Sequence, residues 1–175
     1  MLQITTPAPR PPLHPDTIEA LIRELREIAS PIVQHYQSDL THDENALREH
    51  PHIKEWLWVP YESGTHIASL NPRGKRWARA ILEHCQTAYP TTPTPYLITP
   101  QGVTPTTWER VKAIVERLAD PTYEVQTAEG ETLTTTQDWH RALRTLEYHK
   151  GPATLRETSE PEPLLKHNPT PAARA

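Results

Sequence analysis

Side chains able to ligate a metal or carry a proton crowd one short stretch: His35, Asp39, His42, Asp43, His50 and His52. His35 and Asp39 are four apart, so on one helix they share a face. Imidazole and carboxylate together suit zinc or another divalent cation. The metal expectation therefore falls on His35, Asp39 and His42. No His-Glu-x-x-His pattern and no cysteine pair supports it. The competing expectation is a solvated helix face, with Asp43 and Glu44 placed near a helix start where the dipole favours acids.

A second chemistry lies at Arg73, Lys75, Arg76 and Arg79. Asn71-Pro72 just upstream reads as an N-cap followed by a first-turn proline. Four cations at such a helix start, with Gly74 allowing close backbone approach, suit phosphate or a nucleic-acid backbone. The competing expectation is an ordinary basic surface. A third group is Trp56, Trp58 and Tyr61. Alternation puts both tryptophans on one face of a strand. Exposed, they would form a protein-binding hot spot; buried, they are core.

Enzyme signatures are weaker. His84 and Cys85 are adjacent, and neighbours on a helix point apart, so they form no dyad. There is no Gly-x-Ser-x-Gly elbow and no phosphate-cradling glycine loop, and only five glycines occur in all. No catalytic residue and no cofactor is assigned.

These residues need elements to hold them. Ile18, Leu21, Ile22, Leu25, Ile28 and Ala29 recur at helical spacing behind a capping box at Asp16–Glu19. Ser30-Pro31 interrupts that helix and restarts a second, and Thr41–Glu44 opens a third before Pro51. Ile53–Val59 and Thr65–Leu70 read as a hairpin around a five-residue loop, Pro60–Gly64. The helix that Asn71 caps presents Trp77, Ile81, Cys85 and Ala88. Tyr96–Thr99, a turn at Pro100–Gly102 and a brief return at Val103 precede a helix capped by Thr104, with Trp108, Val111, Val115 and Leu118 inward. Tyr123–Thr127 and Glu131–Thr134 form another hairpin, followed by a helix capped by Thr135 or Thr136 and carrying Trp139, Leu143 and Leu146.

Three segments thus share a hairpin, a glycine (Gly64, Gly102, Gly130) and a helix with an early tryptophan (Trp77, Trp108, Trp139), at varying spacing; the competing expectation is coincidence of a common strand-turn-helix pattern. The expected fold is α+β and two-layered: N-terminal helices, then antiparallel hairpin–helix units building one sheet. A disordered proline-rich leader is expected over 1–15. A single domain follows over 16–150, helical over 16–50 and hairpin–helix over 51–150. A disordered tail is expected over 151–175.

Composition narrows the function classes. The 175 residues are 35% hydrophobic, with 20 prolines, five tryptophans and no phenylalanine. A formal charge of −4 excludes a globally basic nucleic-acid binder. No apolar run is long enough for a membrane helix, and Met1–Pro12 lacks the regions of a signal peptide. A lone cysteine fits a reducing compartment, so a cytoplasmic location is expected. In general character the chain is similar to accessory proteins of bacteria and phages. The functional expectation is a small non-enzymatic protein that binds or regulates another macromolecule, with a protein as partner. The alternative is a nucleic-acid-binding accessory protein using the basic helix start. A metal-dependent enzyme comes third.

Overall fold

A computed structural model describes residues 11–33, 36–87, 92–159 and 163–169, with backbone alone at 36–39. Among the described residues are helices α1 (Pro15–Ala29), α2 (Tyr36–Glu49), α3 (Lys75–Cys85), α4 (Trp108–Arg117) and α5 (Trp139–Tyr148). The strands are β1 (Trp56–Tyr61), β2 (Gly64–Ser69), β3 (Tyr96–Thr99), β4 (Gly102–Pro105), β5 (Tyr123–Thr127), β6 (Thr132–Thr136), β7 (Ala153–Glu157) and β8 (Leu165–His167). The fold is α+β, with N-terminal helices followed by antiparallel hairpins and helices. The strands form two four-stranded sheets, where one was expected. The chain divides into two compact units, Met1–Leu70 with Trp77–Glu116, and Asn71–Arg76 with Arg117–Ala175.

In the first unit α1 starts where proline is best tolerated. Pro15 takes the first turn, and the His14 ring accepts from the Asp16 amide at 3.1 Å, so His14 and not Asp16 is the cap. The helix stops at Ala29, before Ser30-Pro31. Beyond it α2 runs through Thr41 without a restart, and Asp43 sits mid-helix. The two helices are clamped by Arg26 on Glu44 (2.6 and 3.1 Å) and Arg48 on Glu19 (2.9 and 3.2 Å). The end of the expected leader is anchored as well. The Leu13 amide donates to the Pro51 carbonyl, Lys54 Nζ donates to the Pro11 carbonyl, and Leu13 packs on the core.

The sheet of this unit runs β2-β1-β3-β4, antiparallel throughout. Trp56, Trp58, Ile98 and Val103 meet the apolar faces of α1 and α2. Leu57 and Val59 point the other way and are fully buried too, so β1 is covered on both faces. Ala78, Ile81, Leu82 and Cys85 of α3 and Val111 and Val115 of α4 are buried in the same unit. The inward stripe of α3 is therefore rotated from the expected one: Trp77 is 45% exposed, and Ala88 lies outside the described residues. The first hairpin is tighter than expected, because β1 continues through Pro60 to pair Tyr61 with Gly64. At the second hairpin Gly102 has φ 148°, and a Cβ there would meet the Glu24 carboxylate at 3.3 Å. That carboxylate accepts from the Val103 amide at 3.0 Å, tying the turn to α1. Thr104 belongs to β4; the α4 start is capped by Thr107, whose Oγ1 accepts from the Arg110 amide.

The second unit has the sheet β6-β5-β7-β8, again antiparallel, with α5 across one face. Tyr123, Val125, Ala153 and Leu155 face Ala142 and Leu146 of α5. Asp138 caps α5, accepting from the His140 and Arg141 amides at 2.9 and 3.2 Å, in place of the expected Thr135 or Thr136. The strands β7 and β8 lie where a disordered tail was expected. They explain the second sheet: β5 pairs with β7 along its whole length, so the third hairpin has a partner of its own.

Candidate functional site

The metal expectation gains nothing from the structure. His35 lies outside the described residues, and at Asp39 only the backbone is described. His42 is exposed on α2. Among the described residues no three His, Cys, Asp or Glu side chains are placed to hold a cation. Asp43, expected on a solvated face, is fully buried. Its Oδ2 accepts from Trp58 Nε1 at 2.9 Å and from Thr65 Oγ1 at 2.6 Å, joining α2 to β1 and β2. A buried carboxylate needs such donors, and a buried indole N–H needs such an acceptor.

The same bond settles the tryptophans. Trp58 is 0% and Trp56 5% exposed, so the expected protein-binding patch of Trp56, Trp58 and Tyr61 does not exist as a surface. Both side chains are core because the sheet face they share is covered by α1 and α2. Tyr61 is half-buried, and its hydroxyl lies 2.7 Å from His66 Nε2. The His84 ring stands edge-on to His66, centroids 5.8 Å apart. Burial, and then the neighbouring His84, hold His66 below its ordinary pKa, so the ring is neutral at pH 7.

The basic helix start is dismantled by its own contacts. Asn71 does cap, its Oδ1 accepting from the Gly74 amide at 3.0 Å. Lys75, however, is only 6% exposed, and its ammonium donates to the Leu118 carbonyl and to Asp120, each at 2.7 Å. Arg76 sits over the Trp139 ring, 4.9 Å from its centroid, a cation–π contact. Arg73 is half-buried, and Arg79 is exposed and belongs to the first unit. Two of the four cations thus pin the Asn71–Arg76 segment to its unit. Below them Trp139 packs edge-on against Tyr123, whose phenol burial pushes above its ordinary pKa. Glu157, the cross-strand partner of Tyr123, is 2% exposed and accepts from the Ser159 amide at 3.0 Å and from the Ser159 hydroxyl. Cys85 is buried and its thiol is pushed up by burial, which keeps it protonated and unreactive.

Another surface, absent from the sequence-based expectations, stands out on α5. Arg141, Arg144 and Tyr148 recur at i, i+3 and i+7, opposite the buried Ala142 and Leu146. Both arginines are exposed, and Tyr148 is 81% exposed. Among the described residues neither guanidinium holds a carboxylate. Lys150, also exposed, follows at the end of the helix. The spacing was readable, but the inward stripe of the same helix is the stronger signal, and an outer polar face carries no periodic mark of function. No protein-family model, no curated protein and no solved structure matches the chain.

Proposed function

We propose that the protein is a small non-enzymatic binding protein that acts on another macromolecule through the outer face of α5. One observation carries this reading: two uncommitted guanidiniums and a tyrosine that is 81% exposed share one helical stripe. Tyrosine and arginine are the side chains that most often dominate binding surfaces. Holding them on a helix whose inner face is packed on a sheet keeps them preorganised, which lowers the ordering cost of association. In this reading the protein works in the cytoplasm as an accessory protein of a bacterium or phage, and its lone buried thiol is structural.

The test is retention of partners from a lysate of the cells that make the protein. Wild-type bait and Arg141→Glu/Arg144→Glu bait are compared, each with and without nuclease. The expected result is a macromolecule held by the wild type and released by the variant. Identical retention by both baits removes α5 as the binding surface.

A further inference from the structure

We infer that the α5 surface takes single-stranded nucleic acid, with Arg141 and Arg144 on the phosphates and Tyr148 stacked on an unpaired base; this rests on the binding role just proposed. Four features converge. First, guanidinium matches phosphate in fork geometry and charge, and these two lie one helical turn apart, about 5–6 Å between Cβ atoms. With no carboxylate holding them, no ion pair has to break when a phosphate arrives. Second, the one aromatic ring on the stripe stands clear of the protein. A ring so placed offers a flat face to a base, the standard device for gripping single strands without reading sequence.

Third, the rest of the outer face argues against a protein partner. Its other members are His140, Thr145 and Glu147, with no aliphatic side chain among them. A protein interface needs an apolar, desolvated centre; a phosphate backbone needs a wet, cationic one. Fourth, charge is segregated along the chain. The unit that holds α5 carries ten Lys and Arg against nine Asp and Glu, while the other carries eight against thirteen. The acidic surplus therefore lies in the unit without the site. Lys150, exposed just beyond the end of α5, extends the cationic character past that end of the stripe.

The experiment uses the full chain and a fluorescein-labelled oligothymidylate, read by anisotropy over a range of salt. Binding is expected at low salt and weakens as salt rises. Arg141→Gln/Arg144→Gln lowers the log–log salt slope by about 1.4, the signature of two lost phosphate contacts on a single strand. Tyr148→Ala weakens binding by roughly 5- to 150-fold, and Tyr148→Phe restores it. All of these residues are exposed, so unfolding does not confound the comparison, and circular dichroism checks it. Absence of oligonucleotide binding at low salt overturns the inference. So does an unchanged slope in the double arginine variant. Equal competition by polyglutamate, together with an unaffected Tyr148→Ala, shows a generic polyanion surface and overturns it as well. A nuclease-resistant protein partner that depends on Arg141 and Arg144, with no oligonucleotide binding, overturns the nucleic-acid assignment and leaves the binding role standing.

Discussion

The two sheets share a plan and differ in what their second face does. Each is a hairpin, a helix and a second hairpin, with strand orders β2-β1-β3-β4 and β6-β5-β7-β8. The helices between the hairpins even repeat a pattern, Ala78-x-x-x-Leu82-Glu83 in α3 and Ala142-x-x-x-Leu146-Glu147 in α5, with Ala and Leu buried and Glu exposed in both. Yet β1 is buried at five successive positions, whereas β5 and β7 alternate. The second face of the later sheet carries Glu124, Gln126, Thr154 and Arg156, with Glu124 and Arg156 3.9 Å apart. A strand hydrophobic at every position is one covered twice; an alternating strand leaves one face to polar groups. The helices diverge in the same way. Aligned on Ala78 and Ala142, the positions of Arg141, Arg144 and Tyr148 are Trp77, Ala80 and His84 in α3. The common plan supplies the scaffold, and the cationic stripe is peculiar to one copy.

The comparison is broken most directly by a charge on the doubly covered strand. Val59→Asp buries a carboxylate without a partner and costs more than about 4 kcal/mol. Thr154→Asp, on the polar face of β7, costs within about 1 kcal/mol; urea denaturation of both variants measures the contrast. Next comes Trp58→Ala, at about 3–5 kcal/mol for the lost ring. Trp58→Phe costs about 1–3 kcal/mol, because Asp43 keeps its burial and loses a donor. The hairpin glycines give a finer contrast. Gly102→Ala costs about 1–3 kcal/mol, combining a left-handed φ with the Glu24 carboxylate. Gly130→Ala costs less, because at φ 86° its Cβ meets nothing. Thermal denaturation that ranks Gly130→Ala as the more damaging would contradict this account.

The smallest effect is the pH response of the first unit. His66 is held below its ordinary value of 6.5, so between the folded and unfolded values the unfolded chain binds more protons. The stability that a neutral His66 supports is complete above pH 6.5 and is lost as pH falls through the lowered folded value. His66→Gln should flatten this part of the stability–pH curve. A variant as acid-sensitive as the wild type would assign the response to other groups.

How much of this was legible follows from range. Helical periodicity exposed the apolar faces of α1, α4 and α5, and the turn glycines Gly64, Gly102 and Gly130 marked three hairpins, because both signals are local. The caps moved by a few residues, to His14, Thr107 and Asp138, since several neighbouring side chains could have served. Ala153, Leu155 and Glu157 do alternate as a strand should, but Pro152, Pro161 and Pro163 around them carry the composition of open chain. The fate of Lys75 was out of reach, because its partner Asp120 is 45 residues away and the pair exists only once the fold does.

That same separation has a consequence for the chain during synthesis. Lys75 and Arg76 leave the ribosome well before Asp120 and Trp139, the groups that receive them. β7, the strand that completes the pairing of β5, ends at Glu157, and at roughly 5–20 residues per second this takes on the order of ten seconds more. Through that interval the nascent chain carries an unsheltered pair of cations beside residues whose neighbours on both sides are ready to fold. The first sheet has all its strands by Pro105, but the short segment at Asn71 must wait for the far end of the protein.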